Sequence, residues 1–418
     1  MNSKRSKKNS ARSKKASKPI SEKPVMAKIL KFPDGFKWGA SVASYQVEGD
    51  INNCDWSVDF PAGKACQYYS KYEAYFDTAK ELNQNIHRFS LEWSRIQPEE
   101  GRFDRSEIEH CRKVLMALRK RGIMSMLTVW HLTLPIWFSK MGGWENPRSN
   151  AYFQQYLKFA AEELGDLVDY WIILNEPEIY ISLAYFLGKF PPQRRMSPRS
   201  FFVYKNLINA HCTGYDTIHE IIPNAKVSSA LNLTYVDSFE KRSTLNNISA
   251  KIWNKFRNGL FIDNLTGKLD FISVNYYFHD RIRLDIRRFP HILSVQNENK
   301  NVSDIGWEIY PEGIYHVLIN LKRYNLPVFI SENGLADKED AKRTKFIIEH
   351  LKFIHKAIGS GVDVKGYLHW SLIDNFEWTF GFTPRFGLVE MNYDTMKTRI
   401  RPSAYEYAKI CKENALDV

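Results

Sequence analysis

The sequence has few cysteines for its length: five among 418 residues, at positions 54, 66, 111, 212 and 411. They are far apart and odd in number, and they form no CxxC pair and no cluster with histidine. The pattern therefore indicates neither a disulfide framework nor a zinc site. Unpaired thiols favour a reducing compartment, and we expect a cytoplasmic location.

Long apolar runs are also missing. No stretch approaches 18 consecutive apolar residues, and runs such as VDYWIIL are short and strand-like. The N-terminal segment MNSKRSKKNSARSKKASKPISEKP lacks the apolar core of a signal peptide. These absences predict a soluble chain with no membrane partner.

Acidic residues are nearly absent from the first 31 residues, which contain eleven Lys or Arg and a single acid, Glu22. This segment accounts for +10 of the formal net charge of +12, so the rest of the chain is nearly neutral. Because it is rich in Ser and Lys, we predict that residues 1–30 form a disordered basic tail. Non-specific contact of this tail with a polyanion is the one nucleic-acid interaction that the sequence suggests. An alternative, translation from Met26, would leave most of the tail out of the protein.

The remainder contains enough apolar material for a large core, since 44% of the residues are hydrophobic and 25% are charged. No Pro/Gly-rich linker divides it, and its length fits one barrel, so residues 31–418 are predicted to form a single domain. The aromatic content of 14%, with 11 Trp and 22 Tyr, suits a site that stacks flat rings.

Short β-rich runs alternate with longer helical patterns from residue 35 onward. The eight candidate strands are FKWGAS near 36, NIHRFSLEW near 85, MSMLTVWH near 124, YWIILNEP near 170, AKVSSALN near 225, DFISVNYY near 270, PVFISENG near 327 and VKGYLHWSL near 364. Between them lie amphipathic segments such as SEIEHCRKVLMALRKRGI, in which apolar residues recur at helical spacing until Gly122. This alternation predicts an α/β fold, a single-domain (β/α)8 TIM barrel.

Polar residues stand at the C-terminal ends of these strands, where TIM barrels carry their chemistry. The strand-end candidates are Arg88, Glu92, His131, Asn175, Glu176, Asn275, Tyr277, Glu332 and Trp370. Any one of them alone is more simply explained as a polar group with a structural hydrogen bond. Convergence from six strands indicates a functional site.

Two of these candidates form a pair of carboxyl groups. Glu176 follows WIILN and Glu332 follows PVFIS, so each ends an apolar strand where partial desolvation can tune its pKa. Hydrolysis of a glycoside needs two such groups, one to protonate the leaving oxygen and one to attack the anomeric carbon or activate water. The pair therefore points to glycoside chemistry.

Eight sequence blocks occur in a specific order: FKWGASVASYQVEG, HRFSLEWSRIQPEEGRFD, GGWENP, LNEPE, NYY, GWEIYPEGIY, ISENGLAD and HWSLIDNFEWTFGFTPRFGLVE. NEP or ENG alone would be weak evidence, but with the ordered set the chain resembles the family 1 glycoside hydrolases from about Phe32 to the C-terminus. The resemblance implies a retaining β-glycosidase that acts on a small-molecule β-glycoside.

The resemblance also implies roles for catalytic residues. Glu176 in NEP would be the general acid/base, and Glu332 in ENG would be the nucleophile. Asn175 would hydrogen-bond the sugar 2-hydroxyl. Arg88 and Tyr277 would contact the nucleophile carboxylate and keep it ionised. The implied mechanism is a two-step displacement with retention, and it needs neither a metal nor an organic cofactor.

Five further residues would bind the sugar by the same resemblance. Gln46 and Glu377 would be bidentate ligands of the 3-, 4- and 6-hydroxyls, His131 and Trp378 would add hydrogen bonds, and Trp370 would form the floor under the ring. A Glu at position 377 favours a neutral sugar over a phosphorylated one, and a Glu at 176 favours O-glycosides over thioglucosides. Leu132 departs from the aromatic residue usual in the family, which leaves one wall of the site altered.

The expected function is hydrolysis of terminal β-D-glucosides, β-D-galactosides or β-D-fucosides, since Gln46 and Glu377 can bind either 4-hydroxyl epimer. Two alternatives remain open at this point: transglycosylation, when a sugar acceptor outcompetes water, and a catalytically inactive sugar-binding barrel. The sequence leaves the oligomeric state and the aglycone undetermined.

Overall fold

A computed structural model describes residues 29–285, 287, 293–296 and 299–418. The predicted basic tail falls outside these residues except for its last two positions. Eight parallel strands close into a barrel in which each strand pairs with its neighbours along the chain and the eighth pairs with the first. The strands are β1 (Lys37–Ser41), β2 (Ile86–Ser90), β3 (Met124–Trp130), β4 (Tyr170–Asn175), β5 (Val227–Asn232), β6 (Ile272–Asn275), β7 (Val328–Asn333) and β8 (Val364–Trp370).

A long helix follows each strand on the outside of the barrel. The helices are α1 (Tyr68–Glu81), α2 (Arg105–Lys120), α3 (Ser149–Leu164), α4 (Ser200–Ile221), α5 (Thr244–Asn254), α6 (Glu312–Leu321), α7 (Arg343–Gly359) and α8 (Pro402–Glu413). The predicted (β/α)8 barrel is thereby confirmed, with a strand at every one of the eight predicted runs.

Shorter elements fill the connections. One-turn helices, including 3-10 and π-helical turns, span Ser44–Val47, Trp56–Asp59, Trp93–Ile96, Ile136–Lys140, Gly143–Glu145, Pro177–Ile181, Ser182–Phe186, Lys255–Gly259, Leu260–Asn264, Lys322–Tyr324 and Trp378–Phe380. Outside the barrel, three small sheets combine Ile29–Lys31 with Ala415–Asp417, Tyr235–Ser238 with His279–Leu284 and Leu293–Gln296, and Val389–Asn392 with Lys397–Ile400.

Helix α2 shows how local sequence sets the bounds of an outer helix. The side chain of Asp104 caps its first turn by accepting a hydrogen bond from the Ser106 amide at 2.9 Å. The predicted apolar positions face inward, with Ile108 and Leu118 fully buried. Gly122, at φ +68°, ends the segment because few other residues adopt that conformation without strain.

The barrel interior is filled by side chains, so it is a core and not a pore. Seven buried residues, each from a different strand or the residue before it, form one apolar cluster there: Ile86, Met126, Ile172, Ala230, Phe271, Phe329 and Leu368. A larger apolar core lies between the strands and the outer helices. The polar strand ends therefore stand on a rigid support. Within the described residues, no helix is long and apolar enough to cross a membrane.

Candidate active site

A cavity of about 280 Å³ opens at the C-terminal ends of the barrel strands. Nine of the ten predicted site residues line it: Gln46, His131, Asn175, Glu176, Tyr277, Glu332, Trp370, Glu377 and Trp378. The tenth, Arg88, is 1% exposed and contacts Glu332 from below the cavity surface. The barrel thus gathers into one site residues that lie more than 300 positions apart.

Glu332 lies near the end of β7 and is held by two donors. Arg88 Nη1 forms an ion pair with Oε1, and Tyr277 Oη donates to Oε2 at 3.0 Å. Burial raises the pKa of Glu332 to about 7, and the negative charge of Glu176 acts in the same direction, whereas Arg88 and Tyr277 oppose the rise. The carboxyl group is thus fixed in orientation and poised to ionise near neutral pH.

Glu176 directly follows β4 and adopts a left-handed conformation, at φ +46° and ψ +51°. The turn into the helix Pro177–Ile181 aims its side chain into the cavity. Its Oε1 accepts hydrogen bonds from Asn232 Nδ2 and Asn275 Nδ2, both at 2.9 Å. Burial is the largest cause that raises the pKa of Glu176, and these two amide donors only partly offset it. Glu176 therefore has neutral partners where Glu332 has a cation.

Asn175 joins the two carboxyl groups through a hydrogen-bonded network. Its Oδ1 accepts from Arg88 Nη2 at 2.6 Å and from Asn275 Nδ2 at 3.2 Å, and its Nδ2 lies 3.2 Å from His131 Nε2. Of the two amide donors to Glu176, Asn275 was among the predicted strand-end candidates, although without a role, and Asn232 was not predicted. Asn232 ends an apolar strand, the same signal that selected Asn175 and Asn275, and that signal could have found it.

Gln46 and Glu377 meet at the side of the cavity away from this network. Gln46 Nε2 donates to the carbonyl of Phe376 at 2.8 Å and lies 3.5 Å from Glu377 Oε2. Gln46 Oε1 is buried and has no hydrogen-bond partner among the described residues. An unpaired acceptor of this kind is costly unless a ligand hydroxyl supplies the donor. Burial, together with the charges of the two catalytic candidates, raises the pKa of Glu377 to about 8.

Three ring systems form an aromatic wall. The rings of Trp370 and Trp378 lie nearly parallel to the imidazole of His131, at centroid distances of 6.3 and 6.0 Å. Burial holds the pKa of His131 well below its ordinary value, so the ring is neutral, and its Nδ1 has no partner within the described chain. Gly334 allows the backbone of Trp370 to approach, since a Cβ there would lie 1.8 Å from Trp370 O.

Glu92 and Leu132, two residues singled out in the sequence analysis, have no catalytic or sugar-binding role assigned to them. Glu92, one of the strand-end candidates, does not line the cavity: its carboxylate caps the helix Trp93–Ile96 by accepting from the Ser94 amide at 3.1 Å. It is a structural polar group. Leu132 does line the cavity, is 2% exposed and has φ +73°. An aliphatic side chain thus forms this part of the cavity lining, at the position that the sequence analysis identified as a departure from the family's usual aromatic residue.

The site carries carboxyl, amide and aromatic groups. Within the described ranges, no group of three or more His, Cys, Asp or Glu side chains is arranged to hold a metal ion. A buried pair of carboxyl groups, together with an unpaired acceptor and flat aromatic walls, suits a neutral polyhydroxylated ring.

Comparisons with known proteins agree with this chemistry. The sequence model of glycosyl hydrolase family 1 matches residues 29–266 and 262–416. The chain is 31% identical to β-glucosidase A of Acetivibrio thermocellus over 93% of its own length and 100% of that protein. It is 29% identical to a β-galactosidase of Sulfolobus acidocaldarius, over 93% of its length and 96% of that enzyme.

Among solved structures, a β-glycosidase from Pyrococcus horikoshii superposes with a TM-score of 0.87 at 33% sequence identity. The match covers 93% of this chain and 96% of that one. The similarity extends over the barrel and its loops, beyond the strand-end motifs.

Proposed function

The chain belongs to glycosyl hydrolase family 1 and is a retaining β-glycosidase, and we propose that it removes terminal β-D-glucosyl, β-D-galactosyl or β-D-fucosyl groups from small glycosides. The reaction is a double displacement in which Glu332 is the nucleophile and Glu176 the general acid/base. The observation that carries this assignment is the unequal surroundings of the two carboxyl groups. A guanidinium contacts Glu332, whereas the hydrogen bonds that Glu176 accepts from the described residues come from neutral amides.

That inequality decides which group keeps the proton. Two buried carboxyl groups that interact titrate as a pair, and the first proton leaves the group whose ionised form is better stabilised. The cation Arg88 and the hydroxyl donor Tyr277 favour ionised Glu332. Glu176 then retains its proton beside an existing negative charge, which is the state that a general acid requires.

In the first step, a carboxylate oxygen of Glu332 attacks the anomeric carbon while the bond to the aglycone oxygen breaks and Glu176 gives that oxygen its proton. The glycosyl-enzyme ester removes the negative charge of Glu332, and Glu176 is now ionised. In the second step, water attacks the anomeric carbon, Glu176 takes the proton, and Glu332 leaves as a carboxylate. One water is consumed, and the configuration is retained.

Sugar recognition is proposed for the residues that line the other side of the cavity. The orphaned Oε1 of Gln46 and the carboxyl of Glu377 offer hydrogen-bond groups to two adjacent hydroxyls, and both can serve an equatorial or an axial 4-hydroxyl. His131 Nδ1 offers one more. Trp370 and Trp378 are assigned the flat apolar surfaces against the ring, and Asn175 Nδ2 is assigned the hydrogen bond to the 2-hydroxyl.

The substrate proposal is tested with nitrophenyl glycosides under identical conditions. The β-glucoside, β-galactoside and β-fucoside are expected to be hydrolysed, and the α-glucoside with the same leaving group serves as the matched control that is not. A β-glucoside 6-phosphate should not be hydrolysed either, because Glu377 is an acidic side chain and cannot pair with the negative charge of the phosphate. A folded wild type that binds glucose yet hydrolyses none of the β-glycosides would favour the inactive sugar-binding barrel.

The pH dependence follows from the same groups. The kcat/KM of the free enzyme should rise with pH as Glu332 loses its proton, because the nucleophile must be ionised, and fall at higher pH as Glu176 loses its proton. In Tyr277→Phe, the loss of a donor to the ionised carboxylate raises the pKa of Glu332. The acid limb should therefore move to higher pH by about 1 unit.

The matched control is Tyr276→Phe. Tyr276 is 2% exposed, and its hydroxyl donates to the carbonyl of Tyr310 at 2.8 Å, away from both carboxyl groups. Its pH profile should superimpose on that of the wild type. An acid limb that stays in place in Tyr277→Phe would remove Tyr277 from the role of holding Glu332 ionised.

A further inference from the structure

Helix α5 buries a polar face and exposes an apolar one. Its buried residues are small or polar, namely Asn246, Ser249 and Ala250. Its large aliphatic residues face outward: Leu245 is 65% exposed, Ile248 49% and Ile252 64%. Helix α5 packs on the small sheet of Tyr235–Ser238 and His279–Leu284, and a surface helix ordinarily turns its apolar stripe toward the layer on which it packs, as α2 does. An exposed apolar stripe of this kind marks a surface that something else covers.

The stripe continues beyond the end of α5. Phe256 is 55% exposed and Leu260 37%. The carbonyl of Leu260 accepts a hydrogen bond from Tyr204 Oη at 2.8 Å, which brings α4 alongside. One turn before Tyr204, Phe201 and Phe202 are 62% and 59% exposed. We call Leu245, Ile248, Ile252 and Phe256 the outer stripe; the two phenylalanines of α4 extend the apolar surface.

The outer stripe lies in a basic segment. Residues 239–257 contain five basic side chains and one acid, a net charge of +4, whereas the chain after residue 31 carries only +2 in total. Four of the basic residues, Lys241, Arg242, Lys251 and Lys255, are exposed. On a helix of 3.6 residues per turn, Lys251 and Lys255 project beside the stripe. Apolar side chains with flanking lysines suit an anionic, amphiphilic partner.

The outer stripe is also close to the active site. Arg257 follows Phe256 and donates to both the carbonyl and the side-chain oxygen of Asn232, at 3.1 and 2.8 Å. Asn232 in turn donates to Glu176 Oε1 at 2.9 Å. The C-terminal end of the stripe is therefore linked to Glu176 through two hydrogen-bonded steps.

We propose that the outer stripe docks on the surface of a membrane that contains anionic lipid. Leu245, Ile248, Ile252 and Phe256 enter the boundary between headgroups and acyl chains, and the exposed lysines bind the lipid phosphates. The prediction of no membrane partner rested on the absence of a spanning run from the sequence, but peripheral contact of this kind requires none. A second copy of the chain fits this surface less well, because a two-fold interface would bring one +4 segment against another. The proposal does not depend on the catalytic roles assigned above.

The test is co-sedimentation of the full chain with vesicles of phosphatidylcholine containing phosphatidylserine, at physiological salt. Ile248→Ser/Ile252→Ser is compared with Met116→Ser/Val58→Ser, a matched control in which two other exposed apolar residues, 47% and 69% exposed, are changed. The wild type and the control should bind equally. The stripe variant should bind about tenfold or more weakly, since membrane affinity follows the apolar area inserted, and hydrolysis of a soluble nitrophenyl glycoside should be unaffected.

Three results would overturn the proposal. The wild type could fail to bind the vesicles. Binding could persist unchanged in the stripe variant and vanish with added salt, which would assign it to basic side chains alone and leave the apolar stripe without a part in it. Finally, analytical ultracentrifugation without lipid could show a dimer that only the stripe variant dissociates, with no vesicle binding by the wild type, which would make the stripe an interface between copies.

Discussion

Glu332→Gln is expected to hydrolyse nitrophenyl β-glucoside about 10⁴-fold or more slowly than the wild type. The amide keeps the shape of the side chain and can still accept from Tyr277, but it cannot form the glycosyl ester, so the double displacement loses its first step. The rate losses caused by mutating two residues that act as a unit do not add. Removal of Glu176 from Glu332→Gln should therefore slow the reaction little further.

The control for this variant is Glu162→Gln, an exposed position on α3 with 51% of its side chain accessible, where full activity is expected. Unfolding temperature and near-UV circular dichroism should show that Glu332→Gln is folded. Residual activity within about tenfold of the wild type, in a preparation free of wild-type protein, would mean that Glu332 is not the nucleophile.

Glu176→Ala is expected to lose about 10²- to 10⁴-fold in rate on substrates with poor leaving groups, which need protonation. A dinitrophenolate leaves without a proton, so glycosyl transfer to Glu332 from a dinitrophenyl glucoside should be much less affected. The second step, which needs a general base, should remain slow. Azide needs no base and fits the space that the side chain vacates, and it should restore turnover with the β-glycosyl azide as product.

The matched comparison for Glu176→Ala is the same azide titration on Glu332→Ala. There the vacated space lies on the opposite face of the sugar, so a rescued product should be the α-glycosyl azide. Identical azide products from the two variants, or no rescue in Glu176→Ala, would contradict the separate roles of the two carboxyl groups.

The barrel was predictable from the sequence because buried parallel strands are short apolar runs, and the polar residue that ends each run stands out. The predicted runs YWIILNEP and PVFISENG contain the whole of β4 (YWIILN) and β7 (VFISEN). The same contrast of polar end and apolar strand identified Asn175, Glu176 and Glu332 before any geometry was known. Local pattern is sufficient where burial alone decides the structure.

Contacts between strand ends were not predictable in this way. Asn232 and Asn275 both reach Glu176 because they are paired with each other where β5 and β6 run side by side. The spacing of residues along the sequence does not show how two strands are aligned. Glu92 shows the opposite case: its position at a strand end looked functional, but the turn after β2 directs it to cap a short helix.

The orientation of helix α5 was likewise outside the reach of periodicity. The sequence pattern shows that an apolar stripe exists, but not which way it faces. Burial of Asn246 follows from a tertiary contact, since its side-chain Oδ1 accepts from the Leu284 amide at 2.8 Å. This hydrogen bond to the strand His279–Leu284 turns the polar face of α5 inward and leaves Ile248 and Ile252 exposed.

The central claim, that Glu332 forms a covalent bond to the sugar, is tested most directly by trapping the intermediate. A 2-deoxy-2-fluoro-β-glucoside with a dinitrophenolate leaving group slows both steps but leaves the second one slower, so the glycosyl-enzyme accumulates and can be digested and mapped by mass spectrometry. One 2-fluoroglucosyl group on Glu332, absent from Glu332→Gln, is the predicted result. A sugar attached to any other residue, or turnover of the reagent with no covalent adduct, would contradict the account.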